Sequence, residues 1–175
     1  MTIKTIFLDR DGVINKEAEY LFRISDFEFI EGVFDACLYF HNLDYKIIII
    51  SNQSGIARGY YNENDYQRLT EWMLNQFNKK GISILDILYC PHGPESKCNC
   101  RKPKPGMLLE AKYKYNISMD DSWMIGDKET DIEAANLAGI TNTILVRSGH
   151  LINESNSSSK FTIDSIKQSK EVIKT

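Results

Sequence analysis

The sequence lacks a long apolar run, a block of like charges and an internal repeat. A helix that spans a bilayer needs about 20 consecutive apolar residues, so none is predicted. The amino terminus also lacks the charged and then apolar segments of a secretion signal. The formal net charge is only -3, without the basic stripe typical of nucleic-acid binding. We therefore expect a cytoplasmic protein that binds neither membranes nor nucleic acids.

Cysteine is scarce, because the 175 residues include only four. This number, in a chain expected to be intracellular, argues against a disulfide framework. Cys37 stands alone in an apolar helical pattern and is predicted to pack in the core. Cys90, His92, Cys98 and Cys100 supply three thiolates and an imidazole within one short loop. This set suits structural Zn²⁺ in tetrahedral geometry, although a redox pair or chance clustering are the alternatives.

Apolar strands and amphipathic helices alternate along most of the chain. Strands are predicted at 3–8, 45–50, 82–89, 122–125 and 143–146, and helices at 33–43, 62–80, 105–115 and 132–138. Such alternation is typical of right-handed crossovers around a parallel sheet with helices on both faces. The predicted fold is therefore α/β, a Rossmann-like three-layer sandwich.

The chain length of 175 residues predicts a single domain. Its core is expected to span about 3–150, followed by a mobile Ser/Asn/Lys-rich loop at 153–160 and a helix at 164–174 that docks loosely. The predicted elements leave little room for a large cap domain. We therefore expect loops, including the cysteine loop, to form the walls of any pocket.

Polar side chains follow the predicted strands where each one ends. They are Asp9 and Asp11, Ser51 and Asn52, Lys102 near the end of the cysteine loop, and Asp127 and Asp131. The carboxyl ends of parallel strands meet at one edge of a sheet, so these side chains are expected to share a pocket. Carboxylate oxygens suit Mg²⁺, while a hydroxyl and an ammonium suit phosphate oxygens. The mixture favours phosphoryl transfer, with an aspartate as a possible acceptor.

Each acidic pair also has a purely structural interpretation. Asp9 and Asp11 are separated by one residue and followed by glycine, as in an ordinary turn. Asp127 and Asp131 could cap the following helix and complement its dipole. The functional interpretation is preferred because all of these residues fall at predicted strand ends.

The same residues resemble the four ordered motifs of the haloacid dehalogenase superfamily of phosphatases. The matching segments are Asp9-x-Asp11-x-Val13, the strand ending in Ser51, Lys102, and Gly126-Asp127-x-x-x-Asp131. Segments 51–59, 90–92 and 98–107 are similar to the histidinol-phosphatase-like subfamily, in particular to its branch acting on a heptose bisphosphate. The similarity extends over about 3–150.

The resemblance implies a role for each motif residue. Asp9 would attack the phosphorus and form an aspartyl phosphate, while Asp11 would serve as general acid and then general base. Mg²⁺ would be bound by Asp9, Asp127 and the backbone carbonyl of Asp11. Lys102 and Ser51 would bind the phosphate that is transferred.

Other residues are expected to surround these groups. The predicted substrate contacts are Asn52, Gln53, Arg58, Arg101 and Lys128. Arg58 and Arg101 suit a phosphate that is not transferred, because a guanidinium binds oxygen pairs through a planar fork, although both could simply be solvated. Asp131 or Lys128 would orient the site.

The resemblance implies a substrate class and leaves rivals. A heptose 1,7-bisphosphate would lose its C7 phosphate. The sequence does not distinguish the α from the β anomer of this substrate, nor an ADP-heptose from a GDP-heptose pathway. A histidinol-phosphate phosphatase shares the motifs, and a zinc-stabilised binding module without turnover is a third interpretation. We expect a monomer that acts on a small molecule.

Overall fold

Six parallel strands form one sheet in the computed structural model, which describes residues 1–174. The strands are β1 Thr5–Leu8, β2 Lys46–Asn52, β3 Asp86–Cys90, β4 Trp123–Gly126, β5 Asn142–Val146 and β6 Phe161–Ile163. The helices are α1 Val33–Asn42, α2 Glu63–Lys79, α3 Gly106–Tyr115, α4 Glu129–Ala138 and α5 Ser169–Val172. The strand order is β3-β2-β1-β4-β5-β6. Within residues 1–174, no helix has both the length and the apolar character needed to cross a bilayer.

Strands β1 and β2 are buried on both faces of the sheet. Ile6 and Leu8 pack into one apolar cluster, whereas Phe7 between them packs into another on the opposite face. The isoleucines at 47–50 alternate between the same two clusters. Side chains alternate along a strand, so an uninterrupted apolar sequence is required where helices cover both faces.

The helices divide between the two faces. Residues of α1 and α2 contribute to the cluster that contains Leu8, and residues of α3 and α4 contribute to the cluster that contains Phe7. Cys37 is fully buried in α1, as predicted. Asn62 caps α2, because its side chain accepts from the Asp65 N–H at 2.9 Å and the Asp65 carboxylate accepts from the Asn62 N–H at 3.0 Å. The three-layer α/β prediction is confirmed.

Two boundaries of β2 and β3 differ from the prediction. β2 continues through Ser51 and Asn52, whereas the predicted strand ended at residue 50. β3 begins at Asp86 rather than at Ile82. The Ile82 N–H instead donates to the Phe77 carbonyl at 3.0 Å, so this apolar residue completes the end of α2.

The C-terminal region differs most from the sequence prediction. Strand β6 was missed, and the predicted helix at 164–174 is a 3-10 turn at Ile166–Gln168 followed by the short α5. The predicted loop at 153–160 contains a 3-10 turn at Glu154–Asn156. Ile166 and Ile173 are fully buried, so this region packs on the core rather than docking loosely.

The register of the sheet places the polar residues at one edge. Leu8 lies beside Ile49 and Ile125, and the Asp9 N–H donates to the Ile125 carbonyl at 3.0 Å. Asn52 lies beside Cys90, where the cysteine loop begins. The first aspartate, the end of β2 and the start of the cysteine loop therefore lie at the same edge of the sheet.

Candidate active site

A buried cation lies between two carboxylates at this edge. Lys102 Nζ lies 2.8 Å from Asp9 Oδ1 and 2.6 Å from Asp131 Oδ1. It also donates to the Ile50 carbonyl at 3.1 Å. The side chains of Lys102 and Asp131 are 3% and 2% exposed, so solvent contributes little to the pairing.

The charges in this cluster shift the pKa values of both partners. Burial alone would lower the pKa of Lys102, but the carboxylates of Asp131 and Asp9 raise it above its ordinary value. Burial raises the pKa of Asp9 well above its usual range, opposed by Lys102 and reinforced by Asp131 and Asp127. The Lys102 ammonium alone therefore does not offset the cost of burying the Asp9 carboxylate. A second cation beside Asp9 would stabilise the ionised form.

Asp127 completes the acidic cluster beside Asp9. Oxygen atoms of Asp9, Asp127 and Asp131 lie within 4.8 Å of one another. The Asp127 Oδ2 atom accepts from the His150 backbone N–H at 2.9 Å and lies 2.6 Å from His150 Nδ1. Its Oδ1 atom is buried without a hydrogen-bond partner. Both oxygens of Asp131 have partners, because Oδ2 accepts from the backbone N–H groups of Asp127 and Lys128 at 3.1 Å.

Asp11 contacts a buried arginine that sequence reasoning left without a role. Arg10 is 2% exposed, and its Nη2 donates to Asp11 Oδ1 at 3.0 Å and to the Leu21 carbonyl at 3.1 Å. Asn15 Nδ2 donates to the same Asp11 oxygen at 3.0 Å. Burial by itself would raise the pKa of Asp11, but Arg10 and these hydrogen bonds lower it below its ordinary value. Asp11 is therefore held as a carboxylate in a fixed orientation.

Gln53 connects Asp11 with the predicted phosphate-binding hydroxyl. Its Nε2 lies 3.2 Å from Asp11 Oδ2 and 3.1 Å from Ser51 Oγ. Its Oε1 accepts from the Tyr61 hydroxyl at 2.5 Å. The amide predicted to bind substrate is therefore engaged by the protein, and it fixes the relative positions of Asp11 and Ser51.

Asn52 has a similar positioning contact. Its Nδ2 donates to the Lys102 carbonyl at 3.1 Å, and its Oδ1 accepts from the Lys102 backbone N–H at 3.0 Å. The side chain predicted to contact substrate thus binds the backbone on both sides of the buried lysine. It connects the end of β2 to the end of the cysteine loop.

An open cavity of about 290 Å³ lies above these groups. Its walls include Asp9, Asp11, Asn52, Gln53, Arg58, Arg101, Lys102, Lys128 and Asp131. Ser51 and Asp127 are 1% and 0% exposed and lie deeper. The cavity has the size of a small-molecule site, and Asn52, Gln53, Arg58, Arg101 and Lys128 all line it, as predicted for substrate contacts, whereas Ser51 lies behind the wall.

Aromatic side chains stabilise the outer wall of the cavity. Tyr20 packs against Tyr60 with ring centroids 4.5 Å apart, and the Arg58 guanidinium lies 5.8 Å from the Tyr20 ring. Tyr61 stacks on Phe22 with centroids 5.4 Å apart. Segment 20–22 is therefore joined to segment 58–61, which places Arg58 at the rim, where its side chain is exposed.

The cysteine loop gathers its four predicted ligands into one cluster. Cys90 Sγ lies 3.7 Å from Cys98 Sγ and 2.9 Å from Cys100 Sγ. His92 Nδ1 lies 3.4 Å from Cys90 Sγ and 3.3 Å from Cys100 Sγ. Arg101 Nη1 donates to the His92 carbonyl at 3.2 Å, so the loop also orients the arginine at the cavity wall.

Sequence reasoning missed three residues that contact the predicted ones. Arg10 lies inside the first motif, but arginine is mostly exposed in proteins and no local pattern indicated its burial. Tyr61 lies eight residues from its partner Gln53, and His150 lies 23 residues from its partner Asp127, so neither contact follows from the spacing of one turn or strand. A signal was available for His150, since it follows the turn after the last predicted central strand.

A sheet in this strand order, with aspartates after its first and fourth strands and a buried lysine paired with Asp9 and Asp131, defines a phosphatase of the haloacid dehalogenase superfamily. A HAD-hydrolase-like family model matches residues 99–169. D-glycero-alpha-D-manno-heptose-1,7-bisphosphate 7-phosphatase of Photorhabdus laumondii is 49% identical over 159 residues, 87% of each chain. The chain belongs to the family of heptose-1,7-bisphosphate 7-phosphatases.

Further relatives agree with this assignment. The D-glycero-beta-D-manno-heptose-1,7-bisphosphate 7-phosphatase of the same organism is 42% identical over 98% of this chain and 96% of its own. The crystal structure of D,D-heptose 1,7-bisphosphate phosphatase from B. bronchiseptica, complexed with magnesium and phosphate, superposes with a TM-score of 0.82. It is 28% identical, with 94% of each chain covered.

Proposed function

We propose that this chain is a Mg²⁺-dependent phosphatase that removes the C7 phosphate of D-glycero-D-manno-heptose 1,7-bisphosphate. The product, heptose 1-phosphate, would supply nucleotide-activated heptose for lipopolysaccharide core or other surface glycans. The observation that supports this most directly is the cluster of Asp9, Asp127 and Asp131, whose oxygens lie within 4.8 Å of one another beside the Lys102 ammonium.

The donor atoms of this cluster fit Mg²⁺. Asp127 Oδ1 is buried without a hydrogen-bond partner, which is costly unless a cation completes its coordination. Asp9, Asp127 and the backbone carbonyl of Asp11 would bind the ion, and water would complete the hard oxygen shell that Mg²⁺ prefers. Bound there, Mg²⁺ would neutralise charge on the phosphoryl oxygens. Asp131 would instead position Lys102, because both its oxygens already have partners.

Asp9 is the proposed nucleophile in the first step. One of its carboxylate oxygens forms a bond to the phosphorus, and the bond between phosphorus and the C7 oxygen breaks. Asp11, whose pKa is lowered in the free site, must first take up a proton from solvent; it then gives this proton to the departing oxygen, so the sugar leaves as an alcohol. Lys102 and the Ser51 hydroxyl bind the phosphoryl oxygens and stabilise the charge that spreads over them.

Asp11 then acts as general base in the second step. It takes a proton from a water molecule, whose oxygen attacks the phosphorus of the aspartyl phosphate. The bond between phosphorus and Asp9 breaks, which releases inorganic phosphate and regenerates the carboxylate. The Arg10 fork and the Gln53 amide support this proposal, because both keep Asp11 oriented and ionised for the base step.

Arg58 and Arg101 are proposed to bind the C1 phosphate. Both side chains line the cavity, and Arg58 is exposed at the rim, where it is free to contact a ligand. A bisphosphate with the C7 end at Asp9 would bring its other phosphate toward this rim. Truncating Arg58 to alanine should therefore raise KM for the bisphosphate at least tenfold, as expected for loss of a charge-assisted contact.

Cys90, His92, Cys98 and Cys100 are proposed to bind structural Zn²⁺. Their ligand atoms all lie within 4.8 Å of one another, and Cys90 Sγ lies 3.7 Å from Cys98 Sγ, close to the separation of about 3.8 Å expected for two sulfur ligands in a tetrahedral site with metal–sulfur bonds of about 2.3 Å. With four protein ligands, the ion would shape the loop and fix Arg101 rather than take part in hydrolysis. The four cysteines are free rather than paired in disulfides, as expected in a reducing compartment. We therefore propose a cytoplasmic enzyme that acts as a monomer.

Phosphate release measured with Mg²⁺ tests the proposed function. The α and β anomers of the bisphosphate, heptose 7-phosphate and histidinol phosphate are compared as substrates. We expect kcat/KM to be highest with a bisphosphate anomer, and the preferred anomer indicates an ADP- or a GDP-heptose pathway. Asp9→Asn should abolish turnover while the variant stays folded. A preference for histidinol phosphate, or full activity of Asp9→Asn, would contradict the proposal.

A further inference from the structure

The two oxygens of Asp127 have different surroundings. Oδ2 has two partners from one residue, the His150 backbone N–H at 2.9 Å and the His150 ring Nδ1 at 2.6 Å. Oδ1 is buried and has no hydrogen-bond partner. An ionised carboxylate only accepts hydrogen bonds, so the ring proton must be on Nδ1. His150 therefore determines which oxygen is satisfied by the protein and which is left for a cation.

The chain is shaped to bring His150 to this oxygen. An added Cβ at Gly149 would lie 2.1 Å from Asp127 Oδ2, and one at Gly12 would lie 2.4 Å from the same atom. Both glycines therefore let the backbone approach the carboxylate closely. Ser148 Oγ donates to the Gly12 carbonyl at 2.7 Å and joins the two segments. Oδ2 is thus enclosed by two backbone segments and the imidazole, which restricts rotation of the carboxylate.

We propose that His150 is a positioning residue that orients Asp127 with Oδ1 toward the Mg²⁺ site and so increases the affinity for Mg²⁺. The inference rests on the magnesium site of the proposed function and adds a residue from the loop after β5. The ring contacts Asp127 through Nδ1, whereas Nε2 faces Glu17 Oε1 at 3.6 Å, a distance within reach of an ion pair but longer than a hydrogen bond. Partners of this kind, which bind a metal ligand rather than the metal, typically change metal affinity about 10–100-fold.

Two substitutions separate the hydrogen bond from the bulk of the ring. In His150→Asn the side-chain amide nitrogen occupies the place of Nδ1, so a donor to Asp127 is kept. In His150→Gln the amide nitrogen occupies the place of Nε2 instead, so the side chain no longer donates to Asp127 Oδ2. His41→Gln is the matched control, because His41 contacts the Ser83 carbonyl at the surface, away from the site. The backbone N–H of residue 150 stays in every variant.

Mg²⁺ binding is measured by isothermal titration of zinc-loaded full-length protein that has been freed of Mg²⁺ by gel filtration. We expect His150→Gln to raise the Kd about tenfold or more, and His150→Asn to keep it within about threefold of wild type. His41→Gln should match wild type, and thermal melting should show that each variant is folded. Equal Kd values for wild type and His150→Gln, or equal losses in His150→Gln and His150→Asn, would overturn the inference. Absence of Mg²⁺ binding by wild type would instead overturn the metal site of the proposed function.

Discussion

Replacing Lys102 by methionine removes the buried cation while keeping a side chain of similar length. Lys102 Nζ contacts Asp9 and Asp131 at 2.8 and 2.6 Å, and the lysine side chain is 3% exposed. Removing one member of a buried ion pair typically costs about 3–5 kcal/mol, because the remaining charge is left uncompensated. Since about 1 kcal/mol shifts Tm by about 2–4 °C in a chain of this size, Tm should fall by roughly 6–20 °C. The ammonium is also proposed to bind the phosphate, so turnover should be lost.

The loss of stability in this variant should depend on pH. Burial already raises the folded-state pKa of Asp9, and removing Lys102 removes the principal effect that lowers it. A carboxyl whose folded pKa is raised contributes stability below its unfolded pKa of about 4, and that contribution is lost as pH rises through the folded pKa. The difference between wild type and Lys102→Met should therefore be small in acid and grow toward neutral pH.

Urea unfolding followed by circular dichroism, without Mg²⁺ and at several pH values, measures this difference. Lys114→Met is the control, because Lys114 pairs with Asp86 at 2.9 Å on the surface, where solvent screens the charges and the stability should stay near wild type. A loss below about 1 kcal/mol for Lys102→Met at neutral pH would refute the reasoning from buried charge. A difference that does not change with pH would refute the assignment of the lost stability to the buried carboxylates that Lys102 leaves unpaired.

Two further predictions concern the close packing around Asp127 and the cysteine loop. Gly149→Ala should lower kcat/KM at least about 100-fold, because the added Cβ would lie 2.1 Å from Asp127 Oδ2. Gly93→Ala is the control and should keep its activity, because a Cβ there meets open space. Equal activities of the two variants in a phosphate-release assay would contradict this prediction. Cys98→Ser, or removal of the metal by a chelator, should lower Tm by several degrees, since structural zinc contributes to the free energy of folding. Mass spectrometry should show that one zinc ion per chain is lost in each case. An unchanged Tm in metal-free protein would exclude a structural metal.

The central strands and the long helices follow from local sequence. The isoleucines at 47–50 form a short apolar run bounded by polar residues, which predicts a strand buried on both faces, and in the structure they alternate between two covered faces. Asn62 and Asp65 form a capping box whose partners are three residues apart. Features of this kind are visible in sequence because both partners lie within one turn or one strand.

The edge of the sheet and the C-terminal segment do not follow from local sequence. β6 has only three residues, and its strand geometry depends on pairing with β5, where Phe161 lies beside Ile144. Ile166 and Ile173 are buried because α1 and the sheet provide a surface for them. Elements of three or four residues, such as β6 and α5, are too short to show an apolar period in the sequence, so the sequence does not reveal that this segment packs on the core.

The sequence by itself determined the α/β class and selected the acidic residues, the lysine and the cysteine loop, because strand ends in a parallel sheet converge wherever they occur along the chain. Only the tertiary structure decided which groups contact one another. It paired Lys102 with Asp9 and Asp131, Arg10 with Asp11, and His150 with Asp127. The physical reason is that distance and burial set the strength of a charge interaction, and neither quantity is a property of position along the chain.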